Sequence, residues 1–147
     1  MGQRAIIMDR DGTVCEEVGY VNHVDRVRLL PRAAAAIRAA NEAAFQAVVV
    51  TNQAGVARGY FAESLVDEVN ERVRELLANE GARLDGIYCC LHHPEVGAPA
   101  YRMACDCRKP LPRLLAHRSP SWPVEPDHVA RDLFDAVSWI LEREAAR

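Results

Sequence analysis

Apolar residues recur along this chain with two different periods. Ala5-Ile6-Ile7-Met8 is a short unbroken apolar run, the mark of a fully buried strand, and Ala47-Val48-Val49-Val50, β-branched and unbroken, is a second strand. Gly86-Ile87-Tyr88-Cys89 reads as a third, shorter strand. Leu65, Val66, Val69, Val73, Leu76 and Leu77 return at steps of three and four, which predicts an amphipathic helix from Glu63 to Asn79 with Gly81 as its stop. Pro31 opens an earlier helix through about Ala44, because proline is tolerated in a first turn and alanine favours helix. Residues 14–28 have no clean period and read as a loop. Leu114 to His117 begins a helix that Ser119-Pro120-Ser121-Trp122-Pro123 and Pro126 break. Asp132 to Glu144 is a final helix with Leu133, Val137, Ile140 and Leu141 on one face.

Strand, helix, strand, helix, strand is the order of a parallel α/β sheet with right-handed crossovers. The 147 residues suffice for one domain with a real core and are too few for two ordinary ones, so a single domain over 1–147 is expected. In such sheets ligands gather at the carboxyl ends of strands.

Asp9-Arg10-Asp11-Gly12-Thr13 falls at such an end, and so does Thr51. Two carboxylates two residues apart suit covalent catalysis, one attacking while the other gives and later takes a proton. A solvated Asx-turn, its Asp side chains merely capping backbone, is the alternative reading of the motif. The shared location with Thr51 favours the first.

Composition narrows the partners. A net charge of −3 gives no reason to expect nucleic acid. No apolar run approaches the roughly 18 to 20 residues of a membrane span, and the four apolar residues after Arg4 are too few for a signal-peptide core. Cytoplasmic residence is therefore expected. Five cysteines, an odd count, argue against a disulfide framework.

Four of those cysteines lie within nineteen residues, beside histidines. Cys90-x-His92 and Cys105-x-Cys107 form a two-plus-two set with twelve residues between the inner ligands, a closed tetrahedral complement for structural Zn²⁺. The gap within each pair is tighter than in ordinary zinc fingers, and buried or free thiols with a surface histidine are the alternative. His93 competes with His92. Pro94, Gly97 and Pro99 suit a loop (89–109) that lacks a core and needs a staple. Cys89 is expected to point back into the sheet, since strand neighbours alternate faces, and Cys15 to be a buried small residue.

Arg108-Lys109 follows the last cysteine directly. A solvated face is the ordinary reading of such a pair. Held by a folded zinc loop beside two carboxylates and a hydroxyl turn, the pair suits phosphate recognition better. The carboxylates would repel a phosphate dianion, so Mg²⁺ bridging the two is required physically.

Taken together, Asp9–Thr13, the stretch Thr51-Asn52-Gln53-Ala54-Gly55-Val56-Ala57-Arg58-Gly59, and Cys90-x-His92…Cys105-Asp106-Cys107-Arg108-Lys109-Pro110-x-Pro112 resemble the haloacid-dehalogenase (HAD) superfamily phosphatases. The branch they resemble is that of the D-glycero-D-manno-heptose 1,7-bisphosphate phosphatases, similar to the histidinol-phosphate phosphatases, over about residues 5 to 115. The resemblance implies a Rossmann-like fold with a zinc-stapled loop and Mg²⁺-dependent hydrolysis of a small phosphorylated sugar through an aspartyl-phosphate. It makes Asp9 the nucleophile and a magnesium ligand, and Asp11 the general acid/base whose carbonyl also binds magnesium. Thr51 and Lys109 then steady the phosphoryl group. Glu17, Val18, Gly19, Tyr20, Asn52, Gln53 and Arg108 contact substrate, and Cys90, His92, Cys105 and Cys107 hold zinc.

The chain departs from that pattern after Lys109, where no Gly-Asp-x-x-x-Asp type motif supplies the family's last magnesium carboxylate. Residues 116–147 read as a shortened C-terminal part, in which Asp127-His128-Val129 resembles the last strand. Asp127, Asp132 and Asp135 are the available stand-ins, although Asp132 and Asp135 look like helix-surface residues. Arg113 replaces the glycine usual after Lys-Pro-x-Pro, and Ala44 stands where a helix-ending glycine is common. A missing central strand would expose sheet edges, which dimerisation would cover, so monomer and homodimer are both open. The alternative activities are a relative that binds a phosphosugar without turnover, and a histidinol-phosphate phosphatase.

Overall fold

The computed structural model describes residues 4–109 and 127–146. Pro110, Pro112, Arg113 and the expected helix and proline break between Leu114 and Pro126 lie outside the described residues. The elements are β1 (Ala5–Met8), α1 (Ala33–Glu42), β2 (Gln46–Asn52), α2 (Glu63–Asn79), β3 (Gly86–Cys90) and α3 (Leu133–Ala145). The strands pair in the order β1-β2-β3, all parallel, with Met8 opposite Val49 and Asn52 opposite Cys90.

Strands in sequence order joined by right-handed crossovers place their helices on one side of the sheet. The core follows from that: Ile6, Met8, Ala47 and Val49 meet Ala36, Ile37 and Ala40 of α1 and Val69, Val73 and Leu77 of α2 in one cluster. The expected full burial of β1 is corrected accordingly. Its residues alternate, and Ile7, on the other face, is 49% exposed. Residues 14–28, read as a loop, contain a 3-10 turn at Val24–Arg26 and send Val14, Cys15, Val21 and Val27 into the core.

β2 and β3 run further than expected, reaching Asn52 and Cys90, so the polar turn and the first metal-type ligand begin on rigid strand ends. α1 begins later, at Ala33, because Arg32 adopts a left-handed backbone (φ 65°) that excludes Pro31 from the first turn. α3 packs on α1 through buried Val137. Arg32 adds an ion pair to Asp132 (2.9 Å) and a guanidinium 4.2 Å from the Phe134 ring centroid. Residues 127–130 form no strand, and Val129 is 81% exposed, so the last strand expected there is absent. Among the described residues β1 is therefore an outer strand of the sheet. No helix among them is long and apolar enough to cross a membrane.

Candidate active site and metal centre

Asp9 follows β1 directly, Thr51 and Asn52 close β2, and Cys90 ends β3, so parallel pairing brings all four to one edge of the sheet. The Asp9 side chain is 44% exposed; its Oδ1 accepts the Arg10 backbone N–H at 2.8 Å, and its Oδ2 lies 2.7 Å from Lys109 Nζ. An accessible carboxylate oxygen beside a fixed ammonium is a place where a phosphate group can be held against a nucleophile.

Asn52 anchors the backbone of that lysine. Its Oδ1 accepts the Lys109 backbone N–H (3.0 Å) and its Nδ2 donates to the Lys109 carbonyl (3.1 Å). Gln53, buried, donates from Nε2 to Asp11 Oδ2 (2.8 Å) and to Thr51 Oγ1 (3.0 Å). Thr51 is 1% exposed, and accepting from Gln53 leaves its own O–H free to donate. Asn52 and Gln53, expected to touch substrate, thus commit their amides to bracing Lys109, Asp11 and Thr51.

Asp11 is gripped by a residue that sequence reasoning missed. Arg10, 2% exposed, donates through Nε to Asp11 Oδ1 (3.0 Å) and through Nη2 to Oδ2 (3.1 Å), while Nη1 donates to Asn70 Oδ1 (2.9 Å). A buried guanidinium is tolerable only when paired in this way. The available signal was Asn70 itself, a polar residue inside the apolar stripe of α2, between Val69 and Val73.

Glu17, Val18, Gly19 and Tyr20 form a loop closed on itself. Glu17 Oε1 accepts the Gly19 N–H (2.8 Å), and Arg26, also missed, donates to the carbonyls of Val18 (3.4 Å) and Tyr20 (3.2 Å). The Tyr20 ring meets Tyr60 edge-on, with centroids 4.7 Å apart. Both rings are exposed, beside the turn after β2.

The donor atoms of Cys90, His92, Cys105 and Cys107 all lie within 4.8 Å of one another. The sulfurs are separated by 3.2, 3.3 and 3.6 Å, and His92 Nδ1 lies 3.3 Å from Cys107 Sγ. A Zn²⁺ tetrahedron with Zn–S bonds of about 2.3 Å has sulfur–sulfur edges of about 3.8 Å, so the set fits that ion with slight expansion. His93 is excluded from it: its Nδ1 accepts the backbone N–H groups of Glu95 and Val96, and its Nε2 lies 3.2 Å from Arg58 Nη2. Burial, then bonds to Cys90 and Cys105, push the Cys107 thiol up to about 12. Burial also raises Cys105, but bonds to Cys107 and Cys90 outweigh it and bring that thiol down to about 7. Three crowded sulfurs that cannot share protons evenly suit a divalent cation.

The loop between these ligands docks on the turn after β2. Gly97 has φ 110°, and a Cβ there would meet the Ala57 carbonyl oxygen, so backbone lies directly on backbone. Tyr101 donates to Glu63 Oε2 (2.7 Å) at the start of α2, and Arg108 donates to the His92 carbonyl (3.2 Å). Cys89, as expected, faces away from the cluster and accepts from Asn70 Nδ2 (3.4 Å), and burial raises its thiol. Cys15 is buried in the core, with burial pushing it up to about 12, which makes it an inert thiol.

Two of the stand-in carboxylates are engaged elsewhere. Asp132 caps α3, accepting the Asp135 N–H (2.8 Å), and pairs with Arg32. Asp135 accepts the Arg131 N–H (3.1 Å), and that bond, despite partial burial, holds its carboxyl below the usual range. Asp127 is exposed beside Trp139 and Arg143 of α3.

No family model matches this sequence. The chain is 42% identical over 111 residues to the D-glycero-beta-D-manno-heptose-1,7-bisphosphate 7-phosphatase of Escherichia coli K12, covering 76% of this chain and 58% of that protein. It is 40% identical over 121 residues to the protein of the same name from Rhodopseudomonas palustris, covering 82% and 67%. A crystal structure from Mesorhizobium loti, described as a HAD-like phosphatase, superposes with a TM-score of 0.73 at 40% identity, over 77% of this chain and 54% of that one. The chain thus spans less than two thirds of the length of the Escherichia coli protein. It belongs to the family of the D-glycero-beta-D-manno-heptose-1,7-bisphosphate 7-phosphatases, within the HAD superfamily.

Proposed function

We propose that this chain hydrolyses a phosphate ester of a small sugar, with D-glycero-D-manno-heptose 1,7-bisphosphate as the substrate its relatives' names favour. The observation that carries the reading is the pairing of exposed Asp9 with Lys109 at 2.7 Å, at the mouth of three strands and two residues from the gripped carboxylate of Asp11. Lys109, and Thr51 through its free hydroxyl proton, bind the phosphoryl oxygens. Asp9 Oδ2 attacks phosphorus as the P–O bond to the sugar breaks, and Asp11, acting as the acid, gives a proton to the departing sugar oxygen. Asp11 then takes a proton from water, whose oxygen displaces Asp9 from phosphorus and leaves inorganic phosphate. Arg108 and the loop from Glu17 to Tyr20 face the sugar.

Asp9 and the Asp11 carbonyl offer oxygen donors of the kind Mg²⁺ takes, completed by waters and phosphate oxygens. Such an ion would offset the repulsion between Asp9 and a phosphate dianion. Zinc in the Cys90, His92, Cys105, Cys107 set would hold Arg108 and Lys109 in place. The reaction needs neither nucleic acid nor membrane, fits a cytoplasmic setting, and is open to a monomer or a homodimer of a single-domain chain.

The engagement of Asp132 and Asp135 favours one second reading, a relative that binds a phosphosugar without turnover. Phosphate release from heptose bisphosphate, measured with and without Mg²⁺, separates the two. We expect Mg²⁺-dependent release that Asp9→Asn reduces to background with folding intact. Unchanged release by that variant would remove Asp9 from the chemistry. Absent release, with a phosphosugar still raising Tm, would establish binding alone.

A further inference from the structure

We infer that Asn70, on α2, is a positioning residue for the acid/base chemistry of Asp11, an inference that rests on the phosphatase reading above. Asp11 cannot orient itself, because its carboxylate follows whatever holds it. Two groups do so: Gln53 Nε2 at 2.8 Å, and the Arg10 guanidinium through Nε and Nη2 at 3.0 and 3.1 Å. Arg10 has no solvent to direct it at 2% exposure, and the long side chain of a residue following a strand has several rotamers open to it.

What selects one rotamer is the third contact. Asn70 Oδ1 accepts from Nη1 at 2.9 Å, and a planar guanidinium fixed at Nη1 has its Nε–Nη2 edge aimed at one place. The Asn70 amide is itself fixed, since its Nδ2 donates to Cys89 Sγ on β3 at 3.4 Å. A chain of contacts, buried at Arg10–Asn70 and part-buried at its two ends, therefore runs from β3 through α2 to the carboxylate that exchanges a proton with the leaving group. Asn70 is only 8% exposed and touches no part of the space beside Asp9 through any bond described, so its effect on the reaction passes through Arg10.

A mere packing role and a positioning role predict different kinetics. Protonation of the leaving oxygen matters for a sugar alkoxide and hardly at all for p-nitrophenolate, a good leaving group. The quantity to compare is kcat/KM, which ends at phosphoryl transfer to Asp9 and so excludes hydrolysis of the aspartyl-phosphate. In Asn70→Leu, which keeps the branching at Cγ and removes the acceptor, kcat/KM for the sugar phosphate should fall about 10- to 100-fold, carried by kcat with KM within about twofold. For p-nitrophenyl phosphate the fall should be no more than about threefold. Equal losses on both esters overturn the inference. Asn70→Ala serves the same comparison if the leucine variant does not fold. If the unmodified chain releases phosphate from neither ester, the phosphatase reading is what fails. The acid/base role then falls with it, and a crystal structure of the Asn70→Leu chain decides the geometric premise alone: an Asp11 carboxylate turned off Arg10 shows that Asn70 holds the pair, and an undisturbed two-bond grip overturns that as well.

Discussion

Ala44 sits at the end of α1 with φ 59°, a left-handed backbone in which a Cβ crowds the following carbonyl. That conformation costs an L-residue about 1–2 kcal/mol. Glycine removes the crowding and returns roughly 0.5–1 kcal/mol of it through a more flexible unfolded chain. The steric term is the larger. Ala44→Gly should therefore raise unfolding stability by about 0.5–1 kcal/mol, read as a higher urea midpoint at unchanged slope. The position was legible from sequence, because a helix-stopping glycine is ordinary there and alanine is not. Arg10 was not legible in the same way. Nothing in Asp-Arg-Asp says which way the arginine turns, and its partner lies sixty residues away on another element. Polar contacts across such a separation are set by packing, which a linear pattern does not record.

An element with a strong apolar period is the most legible kind, because one repeating force makes it. α2 begins and ends at the residues its apolar stripe marks, and β1 occupies its apolar run. The loop from Val14 to Arg28 has no period, yet four of its residues enter the core, each anchored singly. The loop that carries Cys90, His92, Cys105 and Cys107 is the opposite case. Cys90 is buried, but none of residues 91 to 109 is, so the segment has spacing of ligands as its only organising signal. With no apolar core, the ligand set and the Gly97 and Tyr101 contacts must hold it. Purified protein is expected to carry about one zinc per chain by elemental analysis. Chelation should lower Tm and speed proteolytic cleavage within 91–104, while far-UV circular dichroism of the sheet and helices persists. Because Lys109 is fixed through this loop and Asn52, phosphate release should stay lost when Mg²⁺ alone is restored after chelation.

At the scale of the molecule, the two ends of the described chain meet beside the end of α1, where Arg4 donates to the Ala43 carbonyl (3.3 Å) and pairs with Glu144 of α3 (3.3 Å). α3 lies against α1, and a hollow of about 530 Å³ between the motif loop and the start of α3 is lined by Gly12, Thr13, Pro31, Arg131 and Asp132. Asp132 is thus the stand-in carboxylate nearest in kind to a missing magnesium ligand, sharing a cavity wall with residues of the Asp9–Thr13 motif. Its bonds argue for another role. One oxygen caps α3 and the other pairs with Arg32, and a cation would have to displace the guanidinium to reach either. The cap contributes about 1 kcal/mol, and the half-exposed ion pair at most about 1 kcal/mol once solvent screening is counted. Asp132→Ala should accordingly lower unfolding stability by about 1–2 kcal/mol in urea titration. The Mg²⁺ concentration giving half-maximal phosphate release should stay as it was. A ligand would behave in reverse, its loss raising that concentration about tenfold or more with little change in the urea midpoint. The two measurements on one variant therefore decide whether α3 braces the fold or completes the site.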